Sequence, residues 1–155
     1  MRGLILALLV ATTAAPAGSS LLTLRRSVNA NAVTYDARLG PDGLLDPADP
    51  VDAYWILGAR DGSREDLGFF ERRVYGATAV VAADRRSMVV VIRGVPDRPL
   101  RVRLASPRPM VEVVIAREWA VLDEVFLVCG LLSVESVRLR GRTAEGNRVE
   151  EVLRR

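Results

Sequence analysis

Arg26, Asn29, Tyr35, Tyr54 and Arg64 are the residues best suited to holding an anionic or sugar-like ligand. Arginine offers a planar fork of donors, asparagine an amide that both donates and accepts, and tyrosine a stacking ring with a hydroxyl at its tip. Trp55, next to Tyr54, adds a second ring on which a sugar or a guanidinium can stack. Each of these residues also has a plain structural use. Arg64 could pair with Asp36 or Asp52, and Trp55 could simply fill the core.

The missing residue types narrow the chemistry further. Histidine is absent from the 155 residues, and all 22 basic residues are arginine. This excludes an imidazole base, a metal-bound imidazole and a Ser-His or Cys-His pair, and the lack of lysine excludes Schiff-base chemistry. Two carboxylates alone can hydrolyse a glycoside. A histidine-free hydrolase acting on an envelope glycan is therefore the alternative to a binding module, although nothing in the spacing of the 19 acids selects a pair. Asp42, Asp46, Asp49 and Asp52 lack the alternate spacing of an EF-hand loop and read as solvated turn acids, so neither a metal nor a cofactor is expected. Cys129 lies in the apolar run 126–130, and a buried, inert thiol is expected there.

The elements that must position these residues begin after a leader. Arg2, the apolar run 4–11 and Ala15-Pro16-Ala17 have the three parts of a signal peptide over residues 1–17, with cleavage expected before Gly18. A membrane anchor is disfavoured because the apolar run breaks at Thr12, Thr13 and Pro16, short of the roughly 20 residues a spanning helix needs. The expected product is a single β-rich domain, 18–155, in the periplasm or secreted. Without Arg2 its net charge is about +2, which is no nucleic-acid signature.

Within that domain, turn residues at Asn29-Ala30-Asn31, Asp84-Arg85-Arg86-Ser87 and 143–147 separate alternating apolar runs and predict hairpins. The stretch 40–50 reads as a loop, and 51–57 as a strand in which Tyr54 and Trp55 point to opposite faces. A helix is expected from Ser63, because Ser63-Arg64-Glu65-Asp66 looks like a capping box ahead of Leu67, Phe70 and Val74, with Gly76 as its stop. The run 121–128 is uniformly apolar, as in a central strand. The predicted fold is mainly β (α+β): an antiparallel β-barrel or sandwich of about eight strands with one inserted α-helix.

Several of these pieces, Arg26-Ser27, Asn29, Asn31, Val33, Tyr35-Asp36-Ala37, Asp42-Gly43, Pro50-Val51 and Tyr54-Trp55-Ile56, resemble a family of small exported bacterial domains of unknown function, DUF 4833. The resemblance continues through Arg64-Glu65-Asp66-Leu67, Tyr75-Gly76, 134–137 and 141–146. It implies no activity and no catalytic residue. The expected function is a non-catalytic binding or structural role, with a small anionic or sugar-like ligand or an envelope protein as partner, no nucleic acid, and no membrane span after cleavage.

Overall fold

A computed structural model describes residues 19–58, 60, 62–129 and 134–155. The expected leader, 1–17, and the cleavage position lie outside these residues. Eleven strands and one short helix follow in chain order: β1 (Ser20–Arg26), β2 (Ala32–Ala37), β3 (Val51–Leu57), β4 (Ser63–Asp66), α1 (Glu71–Tyr75), β5 (Ala77–Val81), β6 (Ser87–Ile92), β7 (Leu100–Arg103), β8 (Met110–Ile115), β9 (Glu118–Cys129), β10 (Val134–Arg142) and β11 (Arg148–Arg154).

The twelve-residue β9 organises the sheet. Its first part pairs antiparallel with β8, its later part pairs parallel with β1, and its other edge carries β10 along most of its length. Two arms therefore diverge from β9, one running β1-β2-β3-β4 and the other β8-β7-β6-β5. They curl toward each other until β3 comes near β5. The enclosed face is the core, where Val33, Tyr35, Trp55, Val90, Val102, Val113, Val125 and Leu139 are all buried. Alternation places them there, because every second residue of each strand points inward.

Three expectations need correction. Among the described residues there are eleven strands rather than about eight, and they form one open, curled sheet, since β4 and β5 end the path without pairing to each other. The sheet is also not wholly antiparallel, because β1 and β9 run parallel. The helix does not start at Ser63. Residues 63–66 form β4, paired to β3 through Ile56↔Arg64 and Tyr54↔Asp66, and the helix is the single turn Glu71–Tyr75. A capping box is a local preference worth about 1 kcal/mol, and pairing to a formed strand outweighs it. Phe70, expected on the apolar stripe, is 76% exposed. Gly76 does end the helix, though in an extended conformation: a Cβ there would lie 2.3 Å from the Arg72 carbonyl oxygen.

The other boundaries agree closely with the alternation. Strand β3 spans the predicted residues, with Tyr54 and Trp55 on opposite faces, and the three hairpins form. Cys129 is half-buried at the end of β9, not fully buried as expected, and packs at the margin of the core. Among the described residues no helix is long and apolar enough to cross a membrane.

Candidate functional site

Strand alternation divides the proposed ligand-holding residues between the two faces of the β1-β2-β3 arm. On the core side Trp55 packs edge-on against Tyr75, with ring centroids 5.1 Å apart. Tyr35 is fully buried and donates its hydroxyl to the Tyr75 carbonyl at 2.7 Å. Burial raises its pKa further above the ordinary phenol value than any other influence, with Tyr75 adding to the effect. Tyr35 thus holds the end of α1 on the sheet, and it presents no surface to a ligand.

Arg26 ends β1 at the rim of this face. Its guanidinium lies 4.4 Å over the Trp55 ring. Nη1 donates to the Tyr75 hydroxyl at 3.2 Å and Nη2 to Asn29 Oδ1 at 3.0 Å. The same Asn29 oxygen accepts the Asn31 N–H, and Asn31 Oδ1 accepts the Gly58 N–H, so the turn that follows β1 is tied to the end of β3. Arg26 Nε and Trp55 Nε1 are buried and have no hydrogen-bond partner among the described residues. All of the contacts that hold Arg26 are to neutral groups.

On the outer face Tyr54 is covered by Arg64, whose guanidinium lies 3.7 Å over its ring. Its hydroxyl donates to Asp36 Oδ2 at 2.8 Å. Burial first, then the hydrogen bond and charge of Asp36, push the Tyr54 pKa up to about 12. Arg64 donates to Asp52 at 2.6 Å, and Arg38 bridges Asp52 at 3.0 Å and Asp49. Burial of Asp52 works against its ionisation, but the hydrogen bonds and charges of Arg38 and Arg64 prevail and hold its carboxyl below the ordinary range. Asp36 and Asp52 sit directly opposite each other across β2 and β3. Asp52, kept ionised by two guanidiniums, is poorly suited to protonating a leaving group. The loop acids serve separate purposes: Asp42 pairs with Arg85, Asp46 accepts the Ala48 N–H, and Asp49 and Asp52 pair with arginine. Among the described residues no group of three or more His, Cys, Asp or Glu side chains could hold a metal.

Farther along the same outer face, a groove of about 540 Å³ is lined by Thr23, Arg25, Arg26, Asn29, Asn31, Thr34, Ile56 and Phe126, with Ala30 and Ala32 completing it. No acid lines it. Among the described residues the Arg25 side chain makes no hydrogen bond or ion pair, in contrast to Arg38, Arg64, Arg85, Arg98, Arg140, Arg142 and Arg155, each of which meets a carboxylate within 3.2 Å. Of the five proposed residues, Arg26 and Asn29 therefore stand at the groove, Tyr54 and Arg64 lie in the acid-balanced network beside it, and Tyr35 is inside the core. Arg25, Asn31 and Phe126 line the groove but are not among the five residues expected to hold a ligand. Arg25 was legible only as the solvent-facing neighbour of Leu24, and Phe126 comes beside it through the parallel β1–β9 pairing.

The family model described as a domain of unknown function (DUF4833) matches residues 22–152, and the chain belongs to that family. Neither a curated protein nor a solved structure matches the chain.

Proposed function

We propose that this protein is an exported, non-catalytic binding module of the periplasm or cell envelope, which holds a small anionic or sugar-like ligand in the groove at Arg25, Arg26, Asn29 and Phe126. One observation carries the proposal: Arg26 is fixed in place by neutral partners only, Trp55, Tyr75 and Asn29. A guanidinium positioned this way keeps its charge available to an incoming anion and has already given up much of its side-chain freedom, which lowers the entropic cost of binding. The neighbouring amides and hydroxyls supply donors and acceptors suited to sugar hydroxyls, and Phe126 and Ile56 supply an apolar floor. Export rests on the basic, apolar and small-residue pattern of residues 1–17.

The test is to purify the protein from its native host, release whatever is bound by denaturation and identify it by mass spectrometry, with Arg25→Gln treated in parallel. An anionic or sugar compound in stoichiometric amount, lost from the variant, is the expected result. Retention of the same compound by Arg25→Gln, or a wild-type protein that carries none and binds neither galacturonate nor galactose in titration, would overturn the reading.

A further inference from the structure

The pairing register lines up side chains from seven strands into one row across the outer face. Arg64 stands opposite Ile56, Ile56 opposite Ala32, and Ala32 opposite Arg25. Beyond Arg25 come Phe126, Arg138 and finally Val152. No acid occurs in this row. The row beside it has the opposite character: Glu124 and Glu150 lie there, both bound to Arg140, and Asp66 stands opposite Tyr54.

Arg138 stacks 4.8 Å over the Phe126 ring. Its Nε is buried without a hydrogen-bond partner, and among the described residues Arg138 makes no ion pair. Phe126 is thus flanked by two unneutralised arginines, Arg25 on β1 and Arg138 on β10, two strand spacings or about 10 Å apart. Arg154 on β11, opposite Ser136 of β10, is a further arginine that pairs with no carboxylate among the described residues.

A compact anion can meet one of these charges and leave the other unused. From this row, and resting on the binding role proposed above, we infer that the ligand is an extended acidic glycan lying across the strands. One of its carboxylates meets Arg25, another meets Arg138, and a sugar ring covers Phe126. The separation of the two arginines is comparable to the length of a disaccharide, so carboxylates on alternate sugars would meet both. A glycan fits better than a nucleic acid because the groove lining, with its threonines and asparagines, offers partners to hydroxyls and presents a single accessible aromatic ring, where single-stranded nucleic acid sites stack several bases.

The experiment titrates galacturonic acid monomer and its hexamer against the wild-type protein, Arg138→Gln and Phe126→Leu, with circular dichroism melts confirming that the variants fold. The hexamer is expected to bind more tightly than the monomer and with a steeper loss of affinity as salt rises, because more ion pairs are screened. Arg138→Gln should weaken the hexamer by about tenfold, as expected for loss of one charge-assisted contact, and leave the monomer unchanged. Phe126→Leu should weaken both. Equal affinity for monomer and hexamer, or no loss of hexamer binding in Arg138→Gln, overturns the extended site while leaving the groove at Arg25 and Arg26 intact. Tighter binding by single-stranded DNA of matched charge overturns the glycan assignment. Failure of the monomer and the hexamer alike overturns the acidic-glycan assignment, while the groove reading falls only if galactose also fails to bind and the purified protein carries no compound.

Discussion

Two clusters of arginine lie at opposite ends of one arm of the sheet and differ in how their charge is met. At the end near the loop acids, Arg38 and Arg64 converge on Asp52, and Arg64 also covers Tyr54. At the end near Asn29, Arg25 faces a groove without any acid, and Arg26 rests on Trp55 and Tyr75. The first cluster is electrically closed and joins strands β2, β3 and β4. The second keeps its charge exposed to whatever enters. In a chain whose basic residues are all arginine, residue type cannot separate a clamp from a ligand site. Here the two clusters differ in whether a carboxylate partner is present.

Removing the platform beneath the open cluster should give the largest effect. Trp55 is only 5% exposed, so Trp55→Ala is expected to cost roughly 3–5 kcal/mol, through lost burial and the cavity left behind. Urea unfolding measures this. A loss below about 1 kcal/mol would mean that the core closes over the gap and that Arg26 does not depend on the ring.

Opening the closed cluster comes next. Asp52→Asn leaves Arg38 and Arg64 without their shared carboxylate, and because both guanidiniums are nearly half exposed, the expected loss is only about 1 kcal/mol. The wild type should show the same link in acid. The folded-state pKa of Asp52 is depressed, so its contribution is complete above the unfolded value of 3.8 and is lost as pH falls through the lower folded value. The difference in melting temperature between wild type and Asp52→Asn should therefore shrink on acidification, and a constant difference would contradict the ion-pair account.

Tyr54 tests the closed cluster from the alkaline side. Its phenol is pushed up from 10.0 to about 12, so the folded state retains a proton that the unfolded chain gives up. Stability from this group is complete below pH 10 and declines as pH rises toward 12. Ultraviolet titration of wild type against Tyr54→Phe should assign the late-ionising phenol, with Tyr35 ionising later still.

Arg25→Gln should have the smallest effect on stability. An exposed arginine without a partner can be replaced with a change in unfolding free energy within about 0.5 kcal/mol. A larger loss would show that Arg25 is a structural residue and that the two clusters are not different in kind.

Much of the arm bearing both clusters was legible in the sequence. The apolar-polar alternation of Val33, Thr34, Tyr35 and Asp36 marks a strand, and so does that of Val51 to Leu57, because one residue in two must enter the core. The same rule separates Tyr54 from Trp55. Ser63-Arg64-Glu65-Asp66 misled because its helix-start chemistry is local, whereas its strand state depends on β3 being present to pair with it. The turn between β8 and β9 was hidden for a related reason. Ala116 and Arg117 both adopt left-handed backbone angles that their residue types do not announce, and the Ala116 N–H is held by Glu151, 35 positions away, at 3.0 Å.

The sequence by itself determined the excluded chemistry, the strand faces and the family resemblance, since each depends on residue type or on a period of two. Tertiary structure decided which arginines are neutralised. That choice depends on strand register: Arg64 reaches Asp52 because β4 returns along β3, and Arg25 meets Phe126 because β9 runs parallel to β1. Between strands as far apart in the chain as β1 and β9, register is set by long-range pairing and shared burial of the inner face.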